Sequence, residues 1–120
     1  AAEEALLSEL ALQGADAAAR EAARLLQQVW EKGDALTPQD RGELMVKVAG
    51  VKALSTQVAL DITSRIFEVI GSRGTHPRYG FDRFWRNVRT HSLHDPLAYK
   101  IAEVGNHTLN GIHPLPSFTS

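Results

Sequence analysis

TPQDRGELMVKVAGVKALSTQVALDITSRIFEVI, residues 37–70, is the stretch whose reading decides the fold. Thr37 is placed to cap a helix, Pro38 suits the first helical position, and Asp40 stands where the acid of a capping box belongs. No Gly-Pro pair or polar cluster interrupts the residues after this cap, so the pattern predicts one long helix ending at about Ile70. Two neighbouring stripes along it are apolar or small. One runs Leu44, Val48, Val51, Ser55, Val58, Ile62, Ile66, Val69; the other runs Met45, Ala49, Ala53, Thr56, Leu60, Thr63, Phe67, Ile70. The polar strip of Lys47, Gln57, Asp61, Arg65 and Glu68 is narrow. A helix apolar over so much of its circumference has to be covered on more than one side. It is therefore the central helix of a bundle, or a helix shared with a partner subunit.

The flanks agree with a helical fold. Residues 3–32 are rich in Ala, Leu, Glu, Gln and Arg, which form helices well. Leu6, Leu10, Ala17, Ala18, Ala22, Leu25, Leu26 and Val29 are expected to form its apolar stripe, with Gly14 loosening it locally and Gly33 ending it. Residues 71–77 read as a loop. A short helix over about 80–90 comes next, and Asp95 and Pro96 are placed to cap and open another that reaches Leu109 and Asn110. The tail GIHPLPSFTS is too rich in Pro, Gly and Ser to be helical. No repeat and no hairpin signal is present. The expected fold is all-α, an up-and-down helical bundle, with residues 1–120 forming a single domain.

Composition narrows the function. With 120 residues the chain suits one domain with a modest core. Its net charge of −1 and the lack of a recognised motif argue against a nucleic-acid or membrane-surface binder. The absence of cysteine removes disulfides and thiolate chemistry and fits a reducing compartment. No apolar run approaches the roughly 18–20 residues of a membrane span. The acidic start AAEEALLSEL lacks the basic region of a signal peptide. A cytoplasmic protein is expected.

The chemistry concentrates in residues 81–100, FDRFWRNVRTHSLHDPLAYK. Arginines beside aromatics suit phosphates and planar rings. His91, His94 and Asp95 supply groups that move protons near neutral pH. His91 and His94 also have a spacing compatible with a metal pair, or with hydrogen bonds to backbone at a helix end. No HExxH frame and no third ligand accompany them, so no metal is expected. Arg83 and Arg86 are expected either in internal ion pairs or on a phosphate. Phe84 and Trp85 are expected to dock on the bundle rather than to stack on a ring. His76, His107 and His113 belong to no constellation.

From about Ala11 onward, the order and spacing of these features resemble the C-terminal domain of the acyl-CoA dehydrogenase flavoprotein superfamily. RLLQQVWEKGD is similar to the end of that domain's first long helix, and ELMVKVAGVKALSTQVALDITSRIFEVIGSRG to its second helix and glycine turn. YGFDRFWRNVRTHSLHDP resembles the arginine-rich helix and the catalytic loop beyond it. Within the superfamily, DRFWRNVRTHSLHDPLAYK most resembles the branch of dibenzothiophene monooxygenases and sulfur-acquisition oxidoreductases.

That resemblance implies a flavin-dependent monooxygenase in which reduced FMN, rather than FAD, is delivered by a separate flavin reductase and used with oxygen on a small organic substrate. It further implies His94 as the catalytic proton donor or acceptor, with His91 and Asp95 beside it. Arg73, Arg83 and Arg86 are its candidates for binding the flavin. Members of the superfamily hold the flavin between an N-terminal helical domain, a middle β-domain and this bundle, partly across a subunit interface. The resemblance thus implies a homo-oligomer and a chain that is the C-terminal piece of a longer flavoenzyme, inactive alone and with little flavin affinity.

Three departures separate the dehydrogenase pattern from this sequence. Glu68 stands where the dehydrogenases carry a glutamine, Ser72-Arg73 replaces a glycine and an aromatic, and Asp95 stands at the position of their catalytic glutamate. A carboxylate that caps a helix is engaged by backbone N–H groups and reaches a substrate proton poorly. The oxygenase is therefore preferred over a dehydrogenase domain using Asp95 as base, and over a helical module that only oligomerises.

Overall fold

In the computed structural model, which describes residues 2–94 and 97–114, four α-helices succeed one another: α1 (Ala2–Glu31), α2 (Pro38–Ile70), α3 (Asp82–His94) and α4 (Leu97–Asn110). Short 3₁₀ turns lie at Gly33–Ala35, Ser72–Thr75 and Pro77–Tyr79. Among the described residues there is no strand, and no helix is long and apolar enough to cross a membrane.

α2 begins where its sequence demands. The Thr37 hydroxyl accepts from the Asp40 N–H at 3.1 Å, and the Asp40 carboxylate accepts from the Thr37 N–H at 3.1 Å. Lys32 Nζ reaches the other Asp40 oxygen at 2.7 Å. The Lys32 bond, then the Thr37 backbone and hydroxyl bonds, hold the Asp40 carboxyl down at about 2, against an ordinary 3.8. A carboxyl depressed on folding adds stability that is complete above its unfolded value and disappears as the pH falls through its folded value. The first turn of α2 is thus expected to hold above pH 4 and to fray between about 4 and 2, a change visible in the amide signals of Thr37, Asp40 and Arg41. Asp40→Asn should remove that acid transition.

α1 runs back along α2 through a seam of alternating three- and four-residue steps. At that spacing Ala11, Ala15, Ala18, Ala22, Leu25 and Val29 on α1, and Gly42, Val46, Ala49, Ala53 and Thr56 on α2, are all buried or half-buried. Such spacing belongs to helices that pack at a shallow angle, and small residues along it let the backbones approach. The expected α1 stripe is corrected here. Ala18, Ala22, Leu25 and Val29 belong to the seam, whereas Leu6, Leu10, Ala17 and Leu26 are exposed on its flank. Gly14 does not interrupt the helix.

α2 is the element on which α1, α3 and α4 all pack. The molecule measures 56 × 27 × 25 Å, and its core is thin. The buried hydrophobic residues are Ala15, Ala22, Val29, Ala49 and Ala53, while Trp30 is 80% exposed and Leu54, Val69 and Ile70 remain open to solvent.

After α4, Gly111 at φ 65° reverses the chain, its N–H donating to the His107 carbonyl at 2.8 Å. His113 then lies over Gly42, with its ring stacked on His107 at 4.9 Å between centroids. A Cβ at position 42 would stand 2.5 Å from His113 Cγ and 2.8 Å from its Cβ, so only glycine leaves room. Gly42→Ala is expected to expel His113 from α2 and to cost about 1–3 kcal/mol, the usual penalty of overpacking. Urea unfolding with the His113 ring signal followed in parallel measures both effects.

Candidate functional site

Two glycines fix the turn that leaves α2. Gly71 adopts φ 89°, a region open to glycine at little cost, and its N–H donates to the Phe67 carbonyl at 2.8 Å. Gly74 is buried against the helix end, where a Cβ would meet Ile70 Cγ2 at 2.5 Å. The turn is thereby pinned to α2 and holds Arg73 out in solvent. Among the described residues, no hydrogen bond or ion pair engages its guanidinium. Next, the Arg78 guanidinium lies 4.7 Å from the centre of the Tyr79 ring, and Tyr79 stacks on Phe81 at 5.7 Å. Gly80 at φ 64° completes the reversal.

α3 then returns antiparallel along α2. Phe81 and Phe84 meet Ile62, Thr63, Ile66 and Ile70 around an apolar recess of about 260 Å³. Two turns further, Asn87, Val88 and His91 face Lys52, Ser55, Thr56 and Ala59 across a groove of about 410 Å³. Ser92 is the fully packed residue of this helix, and its hydroxyl donates to the Arg89 carbonyl at 2.7 Å.

α3 reaches His94, four residues past the expected end near 90. Nothing in RTHSLH opposes a helix, and the first residue that does is Pro96, which disfavours helical backbone at the position before it. His91 and His94 consequently occupy the last turn, three residues apart on one flank. Both are exposed, and among the described residues neither ring makes a hydrogen bond or ion pair. The candidate Asp95 lies outside the described residues.

The arginines divide. Arg86 Nε pairs with Asp82 Oδ2 at 3.3 Å, both side chains largely exposed, so of its two expected roles the structure displays the ion pair. Such a pair is weak enough to be exchanged for a stronger anion. Arg83 lies over the Phe84 ring at 5.0 Å. Arg73 precedes α3 whereas His94 ends it, and the helix between them rises about 18 Å. The Arg73 guanidinium and the His91 and His94 imidazoles thus sit toward opposite ends of one helix. Of the two aromatics expected to dock on the bundle, Phe84 lies against α2 at the apolar recess while 50% exposed, and Trp85 is 41% exposed. Their neighbours on α2 are too few to cover them.

The groove beside His91 contains residues that the sequence alone does not single out. Asn87 stands one turn before His91 and shares its flank, a spacing that marks it as a neighbour. Thr56 looks like an ordinary stripe residue and gives no such sign. Among the described residues no group of three or more His, Cys, Asp or Glu is gathered as a metal site would need.

Comparison with known proteins fits this arrangement. Residues 7–98 match the family model described as acyl-CoA dehydrogenase, C-terminal domain. The chain is 80% identical over 111 residues to dibenzothiophene monooxygenase from Rhodococcus erythropolis, which covers 92% of this chain and 27% of that protein. It is 48% identical over 99 residues to the probable FMNH2-dependent monooxygenase SfnC of Pseudomonas putida, covering 82% of this chain and 25% of the relative. The crystal structure of TdsC from Paenibacillus sp. A11-2 with FMN and indole superposes with a TM-score of 0.88 at 50% identity, over 94% of this chain and 28% of that one. The chain therefore spans about a quarter of the length of these relatives. Its all-helical architecture, the returning helix α3 and the matched span of residues 7–98 show that the chain belongs to the acyl-CoA dehydrogenase C-terminal domain family.

Proposed function

We propose that this chain is the helical C-terminal part of an FMN-dependent monooxygenase acting on a sulfur-containing small organic molecule in the cytoplasm. The observation that carries the reading is the pair of exposed imidazoles, His91 and His94, presented on one flank of α3 within a domain 80% identical to that of a dibenzothiophene monooxygenase. A buried, hydrogen-bonded histidine would be a packing element; an open one is available to substrate or cofactor.

The residues present suit FMN. Arg73 is an exposed, unengaged guanidinium on a pinned turn, which is what a terminal phosphate requires. Arg83 and Arg86 lie further along the chain and add positive charge. Bound FMN, delivered reduced by a flavin reductase, supplies the activation of oxygen. The protein's own contribution is positional: Arg73 anchors a phosphate, and His94 gives and takes a proton at its imidazole nitrogen, with His91 and Asp95 as neighbours.

The rise of about 18 Å between the two ends of α3 supports a homo-oligomer in which they serve different flavins. The exposed Leu54, Ile66, Val69 and Ile70 give α2 the apolar surface that a second copy would cover. Self-association of the isolated chain at micromolar concentration, read by sedimentation, is the expected result, and a strict monomer would remove that part of the proposal.

The function itself is tested on the full-length protein. With a reductase, NADH, FMN and dibenzothiophene, turnover should depend on FMN and oxygen together. Oxidation of an acyl-CoA without oxygen, or bound FAD in place of FMN, would establish the dehydrogenase instead.

A further inference from the structure

The groove between α2 and α3 holds polar groups that no described residue satisfies. Thr56 is 6% exposed, yet among the described residues its hydroxyl has no hydrogen-bond partner. Hydroxyls on this helix do bond locally elsewhere: Ser55 donates to the Val51 carbonyl and Thr63 to the Ala59 carbonyl, each at 2.7 Å. Thr56 departs from that habit and lines the groove instead. The Asn87 amide and the His91 imidazole line the same groove, and among the described residues they too are without partners.

A buried polar group left unpaired costs free energy, and in native proteins such groups commonly bind ordered water. Water settles where a site offers room and two to four polar partners. At about 410 Å³ the groove exceeds the volume of one molecule, and Thr56, Asn87 and His91 together offer a hydroxyl, an amide and a ring nitrogen.

We propose that this groove is an ordered-water site, and that the water held by Thr56 and Asn87 fixes the tautomer and orientation of His91. The inference rests on the reading of His91 and His94 as the proton-handling pair, but it concerns only what positions His91. Thr56 and Asn87 are positioning residues, acting on His91 through the water. In the neutral ring one nitrogen donates and the other accepts, and whichever faces the groove is set by the water it meets. The remaining nitrogen is then presented to the flank that His94 shares. Lys52, already engaged, closes the side of the groove opposite α3.

The test is nuclear magnetic resonance on the full 120-residue chain, which needs no turnover and is independent of whether the oxygenase reading holds. The wild type should show a long-lived water cross-peak to the Thr56 methyl group, and ring-nitrogen shifts of His91 dominated by one tautomer. Thr56→Val keeps the shape and removes the hydroxyl. It should abolish the cross-peak and shift the tautomer ratio roughly fivefold, the scale of one net hydrogen bond, with helicity unchanged. Asn87→Leu should shift the ratio likewise, while Thr56→Ser, which keeps the hydroxyl, should hold the wild-type tautomer ratio. A missing cross-peak, an averaged His91 ring in the wild type, or a tautomer ratio unmoved by Thr56→Val would each overturn the proposal.

Discussion

Replacing His94 with Phe in the full-length flavoenzyme is expected to lower the oxygenation rate by roughly 10²–10⁴-fold, the usual worth of a positioned acid–base group. Phe keeps the ring volume and removes both nitrogens, so the loss reports proton handling rather than packing. His94 is exposed and among the described residues its ring makes no hydrogen bond or ion pair, and the variant should therefore fold normally. Affinity for FMN should change little. His91→Ala should cost less than His94→Phe, because His91 faces the groove beside α2. Single-turnover kinetics with reduced FMN separates the chemical step from flavin release. Turnover close to wild type in His94→Phe would take the catalytic role away from this residue.

The second large effect concerns binding. Arg73→Ala is expected to weaken FMN binding by about 10–100-fold, the equivalent of one charge-assisted hydrogen bond to a phosphate. The reason is local. Arg73 is held out by Gly71 and Gly74, and its guanidinium has no engagement among the described residues, so nothing has to be broken before it meets an anion. Arg86→Ala should cost less, because that side chain exchanges an existing pair with Asp82 for a new one. Fluorescence titration of the full-length variants with FMN gives both numbers. The isolated 120-residue chain should bind FMN weakly whatever residue occupies position 73, because a bundle offering one wall leaves most of the flavin in water. Micromolar binding by that chain would contradict the assignment.

Whether a feature of this protein is legible in its sequence depends on whether local chemistry or long-range packing sets it. The limits of α2 are legible, because Thr37, Pro38 and Asp40 at one end and Gly71 at the other act on their own neighbours. The seam of α1 is legible only in part: a stripe drawn with a helical period includes Leu6, Leu10 and Leu26, whereas packing against α2 follows the heptad through Ala15, Ala22 and Val29. The end of α3 falls four residues beyond expectation, because the polar composition before Pro96 reads as weak helix. The docking of His113 on Gly42 joins residues far apart in sequence and leaves no local mark. At the site, the spacing of His91 and His94 foretells their shared flank. The distance from Arg73 to His94 depends on α3 returning along α2, and no residue type announces that.

The most direct measurement of the central claim is the fate of isotopically labelled molecular oxygen in the full-length protein. With reduced FMN and dibenzothiophene, each turnover should place one labelled oxygen atom on sulfur, and His94→Phe should suppress that label while leaving FMN bound. Product carrying oxygen from water instead, or substrate dehydrogenated with no label incorporated, would contradict the assignment of this domain to an FMN-dependent monooxygenase.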